Sequence, residues 1–144
     1  MSKIIYTYAV FDILHRGHII HLENSKSIAG RDGKLICGVL NDEAVQERKP
    51  KPIMNFFERL KIASSLKMID EAIEQKTYSP INNVKRIKPD ILIESTSHTK
   101  EDIEKARKVM KELGGEVIVL PYFPEQSSTS IKNQIKNDKR RIKK

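Results

Sequence analysis

Short apolar runs alternate with segments of helical character along the whole chain, and this alternation constrains the fold most. Five such runs are present, at residues 3–10, 35–40, 71–75, 90–95 and 116–121. Their aliphatic and β-branched residues favour strands, and the continuous apolar run at 35–40 is typical of a strand covered on both faces. The pattern predicts an α/β fold, namely a Rossmann-like five-stranded parallel sheet with helices on both faces.

Helix start and stop signals fall between these runs. Asn55, with Glu58 three residues later, is close to a capping box. Thr99 can cap a further helix, and Gly114 is a typical stop residue. The predicted helices cover 17–29, 55–69 and 99–113, with two more that start near Ser79-Pro80 and near Ser127 or Ser128. Segment 41–52, which contains two prolines, is predicted to be a loop.

In a parallel sheet of this kind, ligands bind beyond the carboxyl ends of the strands. The segments to inspect are therefore 9–18, 41–52, 94–98 and 121–129. The first contains the stretch FDILHRGH, which follows a strand and leads into a helix. A helix start favours anions, and Gly17 allows close approach of a ligand to the backbone. His15 and His18 lie on one face of that helix and can donate to phosphate oxygens.

Two plainer interpretations of this stretch stay open on the residues alone. In the first, His15 and His18 are a helix cap and a surface residue. In the second they belong to a zinc site, but the chain has only four histidines, including His21 and His98, and one cysteine. No CxxC pair is present, so a metal held by protein side chains is not expected.

Charge and cysteine usage bound the class of protein. The net charge is +8, but six basic residues and one acidic residue between Lys136 and Lys144 supply +5 of it. A nucleic-acid partner is therefore not expected, and we predict a domain over 1–137 followed by a basic tail over 138–144. The single cysteine, Cys37, is expected to be a buried core residue. The lack of a long apolar run or signal peptide predicts a cytoplasmic protein without a membrane span.

Three segments, in order along most of the chain, resemble the nucleotidyltransferase superfamily named for its His-x-Gly-His motif. VFDILHRGH (10–18) is similar to the first motif of the heptose-phosphate adenylyltransferases. Residues 49–73 resemble the basic loop, Glu-Arg helix and following strand of that family. Within them, 58–73 is also similar to glycerol-phosphate, phosphocholine and phosphonate cytidylyltransferases. GGEVIVL (114–120) and SSTSIKNQI (127–135) resemble its closing strand and Ser-Ser-Thr helix start.

The resemblance implies an enzyme that transfers AMP from ATP, or CMP from CTP, to a small phosphorylated acceptor. Pyrophosphate is released, and Mg²⁺ accompanies the nucleoside triphosphate. The resemblance favours ATP and an acceptor of the sugar-phosphate type. Transfer of CMP to an alcohol phosphate or phosphonate, FAD-synthetase-like transfer, and nucleotide binding without transfer stay open. A homodimer also belongs to this interpretation.

The resemblance further implies roles for individual residues. His15 and His18 bind the triphosphate and stabilise the transition state, and Lys49 and Lys51 close over its β- and γ-phosphates. Arg59 and Lys67 face the phosphates or the acceptor. The nucleotide contacts Val10, Phe11, Asp12, Gly17, Tyr122, Ser127, Ser128 and Thr129.

The basic loop over 47–52 and three departures from the family complete the sequence-based expectations. The like charges of this loop predict a lid that is mobile without ligand and orders over a triphosphate. Ala9 stands where the family has a glycine, Glu125 or Gln126 stands where another glycine precedes the serines, and 94–98 replaces the Gly-Gly-Asp of the family. These departures concern recognition of the base and the acceptor more than phosphate chemistry.

Overall fold

The computed structural model describes residues 2–121 and 128–138. Five parallel strands form one sheet in the order β3-β2-β1-β4-β5. The strands are β1 (Ile4–Ala9), β2 (Lys34–Leu40), β3 (Glu71–Gln75), β4 (Ile91–Ser95) and β5 (Glu116–Leu120). All five lie at the predicted positions, and the predicted parallel α/β fold is confirmed.

Six helices connect or follow the strands within the described residues. They are α1 (Arg16–Ala29), α2 (Asp42–Gln46), α3 (Phe56–Ser64), α4 (Ile81–Ile87), α5 (Lys100–Glu112) and α6 (Ser128–Asn137). The side chain of Thr99 accepts a hydrogen bond from the backbone N–H of Asp102 at 3.1 Å, as predicted for the cap of α5. Asn55 caps α3 in the same way, through the N–H of Glu58 at 3.0 Å.

Two predicted boundaries are wrong. The segment predicted as a loop over 41–52 begins with α2, because the side chain of Asn41 accepts the N–H of Ala44 at 2.8 Å and starts a turn. Ala44 is buried in a small cluster with Leu40 and Val45, so tertiary packing stabilises a helix too short to form alone. Helix α3 ends at Ser64 and not at residue 69, where the chain is already turning into β3 and Met68 is in the core.

The sheet buries a core on each face. Side chains such as Leu35, Cys37 and Val39 pack against α1 and α3, whereas Leu92 and others pack against α4 and α5 on the opposite face, with Met110 from α5. Cys37 is fully buried, as predicted, and burial raises the pKa of its thiol, which makes it a poor nucleophile. Within the described ranges, no helix has the length and apolarity needed to cross a membrane.

The strand order opens a crevice at the carboxyl edge of the sheet. β1 pairs with β2 along its full length, but it pairs with β4 only through Ile5 and Tyr6. Beyond Leu92, the partner of Tyr6, these two central strands part. The chain leaves β1 toward one side of the sheet and reaches β4 from the other, so this is the topological switch point at which such folds bind ligands.

Candidate active site

A cavity of about 590 Å³ occupies the crevice beyond β1 and β4. Its walls are the turn from β1 into α1, the loop that follows α2, the residues after β4, and the first half of α6. It brings together ten residues that the sequence predicted for the site: Val10, Phe11, Asp12, His15, Gly17, His18, Lys49, Lys51, Ser128 and Thr129. Two others, Tyr122 and Ser127, lie outside the described residues.

The two histidines of the first motif form the start of α1. His15 is the N-cap, and its Nδ1 accepts the backbone N–H of Gly17 at 3.0 Å. The backbone N–H of His15 in turn donates to Nδ1 of His18 at 3.2 Å, and the ring centres of the two histidines are 4.0 Å apart. Because each Nδ1 accepts a hydrogen bond, each neutral ring carries its proton on Nε2. The cap interpretation is therefore correct for His15, and capping leaves both rings with an N–H donor.

Both rings are neutral in the ligand-free protein at neutral pH. Burial lowers the pKa of His15. Burial, with smaller contributions from His15, His21 and Lys49, lowers the pKa of His18 to about 3. His18 is half-buried and not a surface residue. Donation from Nε2 requires no positive charge, so these rings can hydrogen-bond phosphate oxygens as they stand.

The turn before α1 is held in an unusual backbone conformation. Phe11 has φ of 59°, in the left-handed region that costs a non-glycine residue about 1–2 kcal/mol. Its buried ring packs 5.4 Å from the ring of His18. A strained residue of this kind persists only where the surroundings require it, and such positions cluster at ligand sites.

Asp12 fastens this turn to two other elements. Its carboxylate accepts the backbone N–H groups of Ile53 and Met54, at 2.9 and 2.8 Å, and pairs with Lys132 of α6. Burial acts to raise the pKa of Asp12, but these three partners outweigh it and hold that pKa below the usual range. Asp12 therefore joins the β1–α1 turn, the basic loop and α6 around one charge.

The basic loop is attached at both ends. Arg48 pairs with Asp102 at 2.5 Å and lies 4.7 Å from the centre of the Tyr78 ring, and the far end is bound by Asp12. Lys49 and Lys51, between these attachments, are exposed and line the cavity. The charge of Arg48 is thus compensated, and mutual repulsion acts mainly between the two lysines.

Arg59 does not face the cavity, and its predicted contact with phosphate or acceptor is wrong. The side chain is 0% exposed. Its Nη1 donates to the carbonyls of Val10 (2.8 Å) and Leu40 (2.6 Å). The other guanidinium nitrogens donate to the carbonyl of Met54 (3.0 Å) and the carboxylate of Asp42 (2.7 Å). Arg59 instead ties the carboxyl ends of β1 and β2 together beneath the site.

Lys67 is also misplaced by the sequence-based prediction. Because α3 ends at Ser64, Lys67 lies in the turn that leads into β3 and is exposed. That turn is at the amino end of a parallel strand, which is the sheet edge opposite to the cavity. Lys67 is accordingly absent from the cavity wall.

Several cavity residues were missed by the sequence-based prediction. Tyr8 donates to both carboxylate oxygens of Glu94, at 2.7 and 2.9 Å, and Nδ1 of His98 lies 2.6 Å from the same carboxylate. The side-chain hydroxyl of Thr7 is hydrogen-bonded to Nε2 of His21 at 2.8 Å. The location of 94–98 after β4 was the available signal, but nothing local in the sequence pairs that segment with β1. Lys132, one helical turn after Ser128 and Thr129, could have been found from helical spacing.

The described residues contain no group of three or more His, Cys, Asp or Glu side chains that could hold a metal ion. Asp12, the carboxylate nearest to the histidine motif in sequence, already has three partners. A divalent cation would therefore fit this site through the oxygens of a bound triphosphate and water, as Mg²⁺ prefers.

Fold and site together define a Rossmann-like α/β domain with a phosphate-suited cavity at its switch point. The family model described as cytidylyltransferase-like matches residues 6–138. The chain belongs to this cytidylyltransferase-like family. The family membership inferred from three motifs is thereby confirmed.

The relatives named FAD synthase and HldE are nucleotidyltransferases, as the sequence analysis predicted. The chain is 31% identical to an FAD synthase of Korarchaeum cryptofilum, over 94% of this chain and 92% of that protein. It is 38% identical to an FAD synthase of Methanopyrus kandleri, over 65% of this chain and 62% of that protein. It is 34% identical to the bifunctional protein HldE of Blochmanniella floridana, over 90% of this chain but only 27% of HldE.

A solved structure supports the fold. The lipopolysaccharide core biosynthesis protein from Thermoplasma volcanium superposes with a TM-score of 0.72 and is 28% identical. The match covers 88% of this chain and the whole of that chain.

Proposed function

We propose that this protein is an adenylyltransferase that transfers AMP from ATP to a small phosphorylated acceptor. The proposal rests on one observation above all. His15 and His18 line the cavity at the start of α1, and backbone hydrogen bonds at both Nδ1 atoms leave two Nε2–H donors for phosphate oxygens.

The cavity wall suggests how the triphosphate is bound. The α-phosphate lies at the start of α1, where the helix end and the two imidazoles favour negative charge. Lys49 and Lys51 reach the β- and γ-phosphates from the basic loop. Ser128 and Thr129 provide hydroxyl groups at the start of α6, on the nucleotide side. Lys132 is a further cation of the wall. It pairs with Asp12 and can leave that carboxylate to pair with a phosphate of the ligand.

The reaction requires positioning and charge stabilisation more than a protein nucleophile. A phosphate oxygen of the acceptor attacks the α-phosphorus, the bond from that phosphorus to the bridging α–β oxygen breaks, and pyrophosphate leaves. His15 and His18 donate to the oxygens on which charge increases in the transition state. The oxygens of the bound triphosphate would hold Mg²⁺, which would supply positive charge to the pyrophosphate leaving group.

The similar proteins favour ATP and two classes of acceptor. An FAD synthase that matches nearly end to end makes FMN the first acceptor to test. The motif resemblance to heptose-phosphate adenylyltransferases makes a sugar phosphate the second. CTP with an alcohol phosphate is the alternative pairing of nucleotide and acceptor.

The test is pyrophosphate release by the purified protein with Mg²⁺. ATP and CTP are each combined with FMN, glucose 1-phosphate and glycerol 3-phosphate, and products are identified by mass. The proposal expects pyrophosphate release with ATP and one acceptor, and a product in which AMP is joined to the phosphate of that acceptor. Tight ATP binding by calorimetry without release in any combination would overturn transfer and leave a nucleotide-binding protein.

A further inference from the structure

A buried carboxylate lies beside the cavity, outside the phosphate-binding residues. Glu94, at the end of β4, is 1% exposed. Its two carboxylate oxygens accept hydrogen bonds from the Tyr8 hydroxyl, at 2.7 and 2.9 Å. One of them, Oε2, is also hydrogen-bonded to Nδ1 of His98 at 2.6 Å. The rings of Tyr8 and His98 are stacked, with centres 5.3 Å apart and planes inclined by 18°. The ring of His98 is therefore fixed by two contacts of different kinds.

This arrangement determines what His98 can offer to a ligand. A carboxylate is an acceptor, so the hydrogen shared with Glu94 belongs to Nδ1 of His98, and Nε2 is left for another partner. The side chain is 22% exposed and lines the cavity. In its neutral form His98 thus presents a hydrogen-bond acceptor, whereas His15 and His18 present donors.

The neighbours of His98 in the cavity wall are suited to an uncharged group. The wall on the sides of β1 and β4 carries Tyr8, Ser95 and Ser97, and Tyr78 is added by the loop after β3. The lysines of the wall come from other elements, the basic loop and α6. Hydroxyls, aromatic rings and an imidazole fit the organic part of a substrate better than its phosphates.

We propose that His98 is a specificity-determining residue, which hydrogen-bonds a hydroxyl or ring N–H of the acceptor through Nε2. Glu94 and Tyr8 are positioning residues that fix its ring. This inference rests on the proposed function and adds the part of the acceptor that the protein recognises. Both acceptor classes contain such donors, FMN in its ring and its chain and a sugar phosphate in its hydroxyls.

A structural role is the competing explanation. Glu94 and His98 are four residues apart, so their hydrogen bond also closes the turn after β4. The backbone N–H of His98, which donates to the carbonyl of Ser95 at 3.0 Å, closes the same turn.

Two variants separate the explanations. His98→Asn places an amide nitrogen near the position of Nδ1 and keeps the bond to Glu94, but removes the group at Nε2. His98→Gln places its terminal amide near Nε2.

Steady-state kinetics with the best acceptor of the wild-type protein test the proposal. We expect His98→Asn to raise the KM for the acceptor roughly tenfold, the effect of one lost hydrogen bond, with the KM for ATP unchanged. His98→Gln should recover part of the loss. Lys100→Ala, at the exposed start of α5, is the control and should match the wild type. An acceptor KM within twofold of the wild type in His98→Asn, or equal rises for acceptor and ATP, would overturn it.

Histidine NMR supplies a readout that does not depend on turnover. The chain has four histidines, so the Nε2 resonance of His98 can be assigned from its loss in His98→Asn. We expect FMN or glucose 1-phosphate to shift that resonance and inorganic pyrophosphate to leave it unchanged. Failure of the wild type to release pyrophosphate would count against the proposed function alone. A His98 resonance unmoved by FMN and by glucose 1-phosphate would refute the role of His98.

Discussion

Four histidines line one cavity, and the rings of three of them, His15, His18 and His98, are held in two opposite ways. His15 and His18 accept backbone N–H groups at Nδ1, whereas His98 shares the hydrogen on its Nδ1 with a buried carboxylate. The same residue type therefore exposes an Nε2–H donor at His15 and His18 and, in its neutral form, an Nε2 acceptor at His98. The sequence motif predicted the first pair, because the two residues and the helix start are adjacent in the chain. It could not predict His98, whose ring stacks on Tyr8, 90 residues away.

Replacing His18 with alanine should remove catalysis and keep the fold. The variant loses one Nε2–H donor to the transition state, which typically costs about 10²–10³ in kcat. His18→Asn keeps a partner near Nδ1 for the N–H of His15, and should lose kcat to a similar extent with less effect on melting temperature. Pyrophosphate release and thermal melting measure the two effects. Turnover close to the wild-type value in a folded His18→Ala protein would contradict the catalytic role.

Replacing Arg59 with methionine should destabilise the protein strongly. The substitution leaves the carboxylate of Asp42 and the carbonyls of Val10 and Leu40 without their buried donor, and breaking a buried pair costs about 3–5 kcal/mol. Lys67→Ala is the matched control and should change the free energy of unfolding by about 0.5 kcal/mol or less. Chemical denaturation measures both. Equal free energies of unfolding in the two variants would mean that the hydrogen bonds of Arg59 to the ends of β1 and β2 do not stabilise the fold.

Protonation of the buried histidines should make the folded protein less stable as the pH is lowered. Burial, with a smaller contribution from His98, lowers the pKa of His21 to about 4, and that of His18 is about 3 for the causes given above. Below about pH 6.5 the unfolded chain binds protons that these folded-state rings do not, so the free energy of unfolding decreases as pH falls from about 6.5 to 4. Each histidine contributes up to about 1.4 kcal/mol per pH unit in this range. His21→Gln should show a smaller decrease than the wild type, and an identical pH profile would disprove the linkage.

At the scale of elements, three pieces of chain meet at Asp12: the β1–α1 turn, the end of the basic loop and α6. Local signals predicted the strands and the capped helices well, since capping and apolar periodicity are properties of neighbouring residues. They failed for α2, which is stabilised by burial of Ala44, and for the end of α3, which is set by entry into β3. They also failed for Arg59, whose long side chain reaches the carbonyl of Val10, just after β1, and that of Leu40, at the end of β2.

A bound triphosphate should order a shorter part of the basic loop than the segment 47–52 that the sequence predicted. Arg48 and Asp12 attach its ends, so the ordering should be concentrated at 49–51, where two lysines line the cavity. Amide exchange at Lys49 and Lys51 should slow when ATP and Mg²⁺ are added, and more than with adenosine, because the phosphates supply the missing negative charge. Pro50, between them, has no backbone N–H and gives no exchange signal. Unchanged exchange at saturating ATP would show that the loop is not a lid.

At the scale of the whole molecule, the alternation of strands and helices predicted the fold, and the fold located the site. A parallel sheet places every strand-to-helix turn at one edge, so residues that are distant in sequence converge there. The contacts that shape the cavity join such residues: Tyr8 and Glu94 are 86 positions apart, and Ser128 donates to the carbonyl of Ile13 across 115 positions. No local pattern specifies which distant side chains meet, which is why the turn from β1 into α1 could be predicted to line the cavity and the side chains of the opposite wall could not.

The charge of the chain is concentrated at its end, and the site should not need it. The residues of α6 that line the cavity, Ser128, Thr129, Lys132 and Asn133, all lie within its first six positions. All four are retained when the chain is truncated after Asn137, the last residue of α6. This truncation should therefore leave the Kd for ATP within about twofold, because it removes none of the described residues that line the cavity. Calorimetry measures it, and a full-length variant with Lys139, Arg140 and Arg141 changed to serine separates charge from chain length. A tenfold loss of affinity in both proteins would place the tail in the binding site.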